Sequence, residues 1–192
     1  MKKIKSKYGK IKIISGKWKG TLLKIIKNKK NLRPTKNLIR ETLFNWINPI
    51  IHNKNCLDCF AGSGILGIES VSRGAYKSIL LEQDITIQKK IIQNIKQLKT
   101  KQIISIHTNT IKWLKKTKNK FDLIFIDPPF KKYILLNKTI QLIEKNNILS
   151  KNSWIYIETN IYSPKIFTPK SWKICKKKIT GKVIYQLYNK IY

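Results

Sequence analysis

Apolar and polar positions follow two alternating periods along this chain. Four apolar runs have the length of strands: Cys56–Phe60, Ser78–Glu82, Ile103–His107 and Phe121–Ile126. Each is followed by a stretch with apolar residues three and four positions apart. These stretches predict helices over Ile65–Arg73 (closed by Gly74), Ile85–Leu98, Thr110–Lys116 and Tyr133–Lys145. In Ile85–Leu98 the apolar stripe runs through positions 87, 91, 92, 95 and 98. Trp154–Glu158 predicts a fifth strand of the series. Strand–helix alternation of this kind builds a parallel sheet covered on both faces.

The two ends break the alternation. Ile11–Ser15 and Thr21–Ile26 read as short strands around Gly16-Lys-Trp-Lys-Gly20, followed by a polar turn over Lys27–Asn31. Thr35 can N-cap a helix running to about Asn48, with Leu38, Ile39, Thr42, Leu43 and Trp46 facing inward and Pro49 ending it. Trp172–Lys178 and Lys182–Tyr188, around Thr180-Gly181, read as a closing hairpin. The division expected is a basic disordered arm over 1–10 and a single domain over 11–192. That domain comprises an N-terminal extension (11–50) and a core (55–190), without internal repeats.

Composition changes the picture in one respect, the charge. The 192 residues, 42% of them hydrophobic, are enough for one domain with a proper core. Against 9 acids stand 41 Lys and Arg, a net charge of +32, which argues for a polyanionic partner such as nucleic acid. Only three of the basic residues are Arg (Arg33, Arg40, Arg73). The rest are Lys, which shares A/T-rich codons with Ile, Asn and Tyr, also plentiful, so part of the charge follows nucleotide composition. No apolar core of about 7–15 residues follows the basic start and no run is long enough to span a bilayer, so the cytoplasm is the expected location. Cys56-Leu-Asp-Cys59 lacks partners for a zinc site: one further cysteine, Cys175, and two histidines, His52 and His107, stand at no finger spacing. The pair reads as small buried residues, and no metal is expected.

The chemistry lies where strands end. The first strand of the alternation runs into Asp58-Cys-Phe-Ala-Gly-Ser-Gly64-Ile-Leu-Gly67, which contains a dinucleotide-type G-x-G-x-x-G. Asp58 at the strand tip suits a cationic ligand better than a phosphate. Glu82 closes the next strand, where an acid can accept from a pair of ribose hydroxyls. After Phe121–Ile126 comes Asp127-Pro-Pro-Phe130, whose prolines cannot continue a sheet ladder. The exocyclic amine of a nucleobase is a poor nucleophile, because its lone pair is delocalised. The Asp127 carboxylate and the Pro128 carbonyl can accept its two hydrogens and stabilise the charge that develops on nitrogen, while Phe130 offers a stacking face.

Asp58-x-Phe60-x-Gly62-x-Gly64 resembles motif I of Rossmann-like S-adenosylmethionine-dependent methyltransferases, and Asp127-Pro-Pro-Phe130 resembles the motif of their amino-directed members. The resemblance implies S-adenosyl-L-methionine as cofactor, with Asp58, Phe60, Gly62, Gly64 and Glu82 in its site and Asn109 on the adenine edge. Thr108 and Asn109 could equally cap the next helix. Adenine N6, cytosine N4, guanine N2 and glutamine side chains are all open at this point. Ile14-Ser-Gly-Lys-Trp-Lys-Gly20, Leu32-Arg-Pro-Thr35 and Arg40-Glu-Thr-Leu-Phe-Asn-Trp46, in that order before the two motifs, narrow the likeness. Together they resemble the bacterial 16S ribosomal RNA guanine-N2 methyltransferases.

That family implies a seven-stranded, mostly parallel sheet with a C-terminal antiparallel hairpin and an N-terminal β-hairpin plus helix. It also implies guanine N2 methylation in 16S RNA of the small ribosomal subunit, and Arg40 near the cofactor, with a surface pair to Glu41 as the plain alternative. Asn37, Leu38 and Lys19 depart from the family pattern. Arg33 and Trp18, the latter between two lysines in a glycine-flanked turn, are expected to meet RNA. Competing functions are an amino methyltransferase of DNA adenine or protein glutamine, and an inactive basic RNA-binding assembly protein.

Overall fold

In a computed structural model, residues 8–26, 37–129 and 133–191 are described. The expected turn over 27–31, the Thr35 cap, Arg33, Phe130 and positions 1–7 of the arm lie outside them. The N-terminal extension is a hairpin of β1 (Tyr8–Lys12) and β2 (Leu22–Ile26), then α1 (Asn37–Ile47). The core follows as β3 (Asn55–Asp58), α2 (Ile65–Ser72), β4 (Lys77–Glu82), α3 (Ile85–Gln97), β5 (Ile103–His107) and α4 (Thr110–Leu114). It continues with β6 (Phe121–Ile126), α5 (Tyr133–Lys145), β7 (Leu149–Asn160), β8 (Trp172–Thr180) and β9 (Val183–Lys190).

The seven core strands form one sheet in the order β5-β4-β3-β6-β7-β9-β8, with β5 to β7 parallel and β9 antiparallel to both its neighbours. The chain winds outward from β3 to β5, then returns to lay β6 on the other side of β3. That reversal opens a crevice at the carboxyl ends of β3 and β6, where open α/β sheets bind ligands.

Two apolar layers sandwich the sheet. One packs α1, α2, α3 and the hairpin against Cys56, Leu80, Phe125 and Tyr156. The other packs α4 and α5 against Leu57, Ile124, Ile126 and Ile157. All eight residues of α2 are buried because the extension lies across it. Glu69 accepts the Ile14 and Ser15 N–H groups at 2.9 Å each, and the Lys17 N–H donates to the Ser72 carbonyl at 2.7 Å. Gly16 has φ +80°, and a Cβ there would stand 1.8 Å from the Ser72 oxygen. A side chain at position 16 would push the extension off α2. At Gly67 an added Cβ would fall 2.7 Å from Leu80, so this glycine serves the close packing of α2 on β4.

Several boundaries differ from expectation: β1 ends at Lys12 rather than Ser15 and β3 at Asp58 rather than Phe60, while other strands run longer. β1 takes in Tyr8, Gly9 and Lys10, which the sequence pattern leaves in the disordered arm. Its buried positions alternate through Gly9 and Ile11, and a glycine leaves no apolar mark in a sequence pattern. β7 starts at Leu149 rather than Trp154. Its first half crosses polar Ser150-Lys-Asn-Ser153, with Asn152 at φ 56° and a register shift against β6 between Phe121 and Leu123. The ladder with β6 pairs Leu149 with Phe121 and resumes at Trp154 with Leu123, so the strand bulges across the polar stretch whose side chains signal a loop. The closing hairpin also runs two residues further than expected at the end of β8 and of β9.

Candidate active site at the carboxyl ends of the strands

Side chains two residues apart on a strand share a face. Cys56, Leu80, Phe125 and Tyr156 all line the same core layer. Asp58, Glu82, Asp127 and Glu158 therefore project from that same face, at the carboxyl ends of the four adjacent strands β4, β3, β6 and β7. Registers fix their order: Asp58 pairs with Leu80 and Phe125, and the Ile126–Ile157 pair brings Asp127 beside Glu158. Four of the nine acids in a chain of net charge +32 stand in this row. Among the described residues no three His, Cys, Asp or Glu side chains converge so as to hold a metal ion.

The β3–β4 half is tied to backbone. Glu82 accepts the Gly62 N–H at 2.9 Å through Oε2 and the Asp84 N–H at 2.8 Å through Oε1. One carboxylate thus fixes both the glycine loop and the turn into α3, and each oxygen keeps a lone pair for a ligand. Burial raises its pKa, and those backbone donors pull it back. Gly62 and Gly64, at φ 53° and 78°, turn the loop in a conformation other residues rarely adopt. Phe60 is partly exposed beside it, and its N–H donates to Asp58 Oδ1 at 3.3 Å. Asp58 Oδ2 is buried without a hydrogen-bond partner. Burial, offset by the Phe60 N–H and reinforced by the charge of Glu82, pushes the Asp58 pKa up to about 7. An unpartnered acceptor of this kind fits a ligand that brings a cationic donor, as the methionine end of S-adenosylmethionine does.

The β6–β7 half is crowded with charge instead. Burial, then the charges of Glu158 and Asp58, hold the Asp127 carboxyl well above the usual range. The Tyr156 hydroxyl donates to Glu158 Oε1 at 2.7 Å. Pro128 is buried and Pro129 partly exposed, so the chain leaves the sheet here as expected. Glu158 is not among the acids that the sequence motifs single out. A signal for it exists, since Glu158 ends the strand that the sequence pattern predicts, Trp154–Glu158, although β7 runs on to Asn160.

Other expected site residues fare differently. Asn109 caps α4, its side chain accepting from the Lys112 N–H at 3.2 Å, which is the capping role its position also allows. Its amide nitrogen leans toward Gln83 at 3.5 Å, beside Glu82. The surface pair of Arg40 with Glu41 is corrected: Arg40 is 0% exposed. It donates to the Lys12 carbonyl at 2.7 Å and to Asn37 Oδ1 at 3.2 Å, while Nε and Nη1 have no hydrogen-bond partner. Burial lowers its pKa, and Glu69 opposes that shift. Among the described residues its neighbours belong to the extension and α2 rather than to the carboxylate row. Trp18, expected to meet RNA, is partly buried in the structure. It packs on the core, because the Gly16 turn presses its backbone onto α2 and its N–H bonds Ser72 Oγ at 3.0 Å.

Comparison with known proteins agrees with this fold. The family described as "Conserved hypothetical protein 95" matches residues 11–189. A "Ribosomal RNA small subunit methyltransferase D" from Buchnera aphidicola subsp. Acyrthosiphon pisum is 50% identical over 95% of this chain and 94% of its own. The solved structure of a "Putative methyltransferase yhhF from Escherichia coli" superposes with TM-score 0.85 at 38% identity, covering 95% of this chain and 98% of that one. A Thermus thermophilus 16S rRNA N2 methyltransferase, solved with AdoMet and guanosine, shares the fold alone at 15% identity, with TM-score 0.70 over 96% of this chain and 50% of that one. The chain belongs to the family of ribosomal RNA small subunit methyltransferase D, Rossmann-like enzymes that use S-adenosylmethionine as methyl donor.

Proposed function

We infer that this chain transfers the methyl of S-adenosylmethionine to the exocyclic N2 of a guanine in 16S ribosomal RNA. The observation that carries this is the group of Asp58, Glu82, Asp127 and Glu158 on one face of the sheet, at its topological switch, with Asp58 set two residues back from its neighbours. Bound S-adenosylmethionine supplies a methyl on a sulfonium, open to attack by an amine lone pair. Asp58 Oδ2 and the glycine loop take the cationic methionine end, and the outer lone pairs of Glu82 take the ribose hydroxyls. The Gln83–Asn109 edge lies beside Glu82, on the side where an adenine would fall.

Asp127 and the Pro128 carbonyl hold the two amine hydrogens, which turns the nitrogen lone pair toward the methyl. As charge appears on nitrogen, the Asp127 carboxylate stabilises it. When the N–C bond forms and the C–S bond breaks, the amine nitrogen must lose a proton, and the Asp127 carboxylate is the acceptor placed to take it. Phe130 stacks on the base in this reading, and Arg33 and the assembled small subunit belong to the RNA side. The fold contributes no membrane anchor of the helical kind among the described residues, and the cytoplasm follows from the substrate.

The test is methyl transfer from labelled cofactor to unmodified small subunits, naked 16S RNA and duplex DNA. Label is expected in ribosomal RNA. Transfer to DNA alone, or to protein alone, would overturn the reading.

A further inference from the structure

The segment joining β7 to β8, residues 161–171, leaves the sheet at the same end as the carboxylate row. It carries two aromatic rings turned to solvent, Tyr162 at 74% and Phe167 at 71% exposure. A single exposed apolar side chain needs no explanation. Two rings in one short loop beside an active site are different when the backbone beneath them is fastened. The Tyr162 N–H bonds Asn160 Oδ1 at 3.0 Å and the Ile161 N–H bonds the Lys182 carbonyl at 3.0 Å. The Tyr133 hydroxyl donates to the Lys165 carbonyl at 2.7 Å, and the Phe167 N–H reaches Asn137 Oδ1 at 3.4 Å.

Both partners of those last two bonds lie on the first turns of α5, just after Asp127-Pro-Pro-Phe130. Pro164 and Pro169 stiffen the path, and Ile166 packs down on the core, leaving its neighbours outward. The loop is thus held to the catalytic segment while its rings face solvent. The chain from here on is basic: from residue 159 to its last residue there are eight lysines and no acid. Lys182 places its ammonium 5.6 Å from the Tyr162 ring centroid.

We infer that this loop is a docking rim for unpaired RNA flanking the target guanine. Tyr162 and Phe167 stack on neighbouring bases, and Lys165 and Lys182 meet the phosphates. Aromatic faces accept any base, and lysines beside them follow the backbone, which is the chemistry of single-strand binding. A second copy of the chain or an acidic protein would use the lysines but would gain little from two separate, upright rings. The inference rests on the ribosomal RNA reading.

The experiment measures methylation kinetics on unmodified small subunits for the parent chain, Y162A/F167A, Y162W/F167W and K165A/K182A. Transfer by the parent establishes the reading, independently of the rim. Y162A/F167A should then raise KM for the subunit about ten-fold or more, through the missing stacking, with kcat and cofactor affinity unchanged. The tryptophan pair should restore KM. K165A/K182A should reduce the salt dependence of RNA binding, by about 0.7 in log–log slope for each lysine–phosphate pair removed. An unchanged KM in Y162A/F167A, or tryptophans as harmful as alanines, would overturn the rim. So would a parent dimer in sedimentation that Y162A/F167A converts to monomer.

Discussion

The two halves of the carboxylate row solve opposite problems. On the β3–β4 side, backbone donors occupy the acids: Glu82 holds Gly62 and Asp84, and Phe60 holds one oxygen of Asp58. This half is a cradle whose shape exists before anything binds. On the β6–β7 side, Asp127 stands beside Glu158 in register, and burial together with the crowding of like charge raises its pKa. Two neighbouring carboxylates resist both being ionised. The first half is organised by geometry and the second by electrostatics, which suits a cofactor that must be positioned and an amine on which charge must develop.

The sharpest way to break this contrast is at Asp127. Asp127→Ala should leave cofactor affinity near the parent value and lower the single-turnover rate by ~10²–10³, because the missing interaction grows in the transition state. Asp127→Asn keeps one acceptor oxygen and should be milder. A parent-like rate in Asp127→Ala would assign the amine to other groups.

Glu82→Ala attacks the other half. It should weaken S-adenosylmethionine binding by about 1.5–3 kcal/mol in calorimetry. Unlike a purely ligand-facing acid, it should also lower the thermal midpoint, since the Gly62 and Asp84 N–H groups lose their acceptor. A stable variant with unchanged affinity would remove Glu82 from the site.

Asp58 sharpens the contrast through pH. Its folded pKa of about 7 lies above the ordinary value of 3.8, so the folded chain without ligand holds a proton that the unfolded chain has released. That contribution to stability is full below the unfolded pKa and is lost as pH rises through about 7. Cofactor binding runs the other way. A cationic ligand needs the ionised carboxylate, so affinity should fall roughly ten-fold per pH unit below that value, with a proton released on binding. Asp58→Asn should flatten the affinity profile and raise the thermal midpoint at about pH 8. If calorimetry finds the same cofactor affinity in the parent at about pH 5 and about pH 8, Asp58 does not face the cationic end.

The smallest effect is expected at the far edge of the sheet. β8 exposes Lys173, Lys176, Lys177 and Lys178 along the outer strand, where charge discourages further strand pairing. Replacing all four by Gln should change the salt slope of RNA binding by less than about 0.7, the slope of a single lysine–phosphate pair. A larger drop would extend the RNA footprint from the acid end of the sheet to this edge.

Much of this is legible in the sequence. The strand–helix alternation, the glycine loop and the three acids Asp58, Glu82 and Asp127 are readable because each sits at a punctuation point between two hydrophobic periods. What escapes the sequence is tertiary. For Arg40 the sequence leaves a place near the cofactor and a surface pair with Glu41 both open, and the structure buries it under the hairpin instead. Trp18 sits in a turn that reads as solvent, yet Gly16 presses that turn onto α2. Gly9 and the polar start of β7 carry no apolar signal, so strands extend through them without a mark in the pattern. Glu158 is harder to pick out than its three neighbours, because its strand carries no motif beyond the acid itself.

The most direct test of the central claim is the identity of the methylated atom. Small subunits lacking their modification are incubated with the parent chain and labelled S-adenosylmethionine, and the 16S RNA is digested to nucleosides and separated. Label is expected in N2-methylguanosine, and nearly none at the same time point with Asp127→Ala. Label in N6-methyladenosine or N4-methylcytosine, or equal N2-methylguanosine from both proteins, would contradict it.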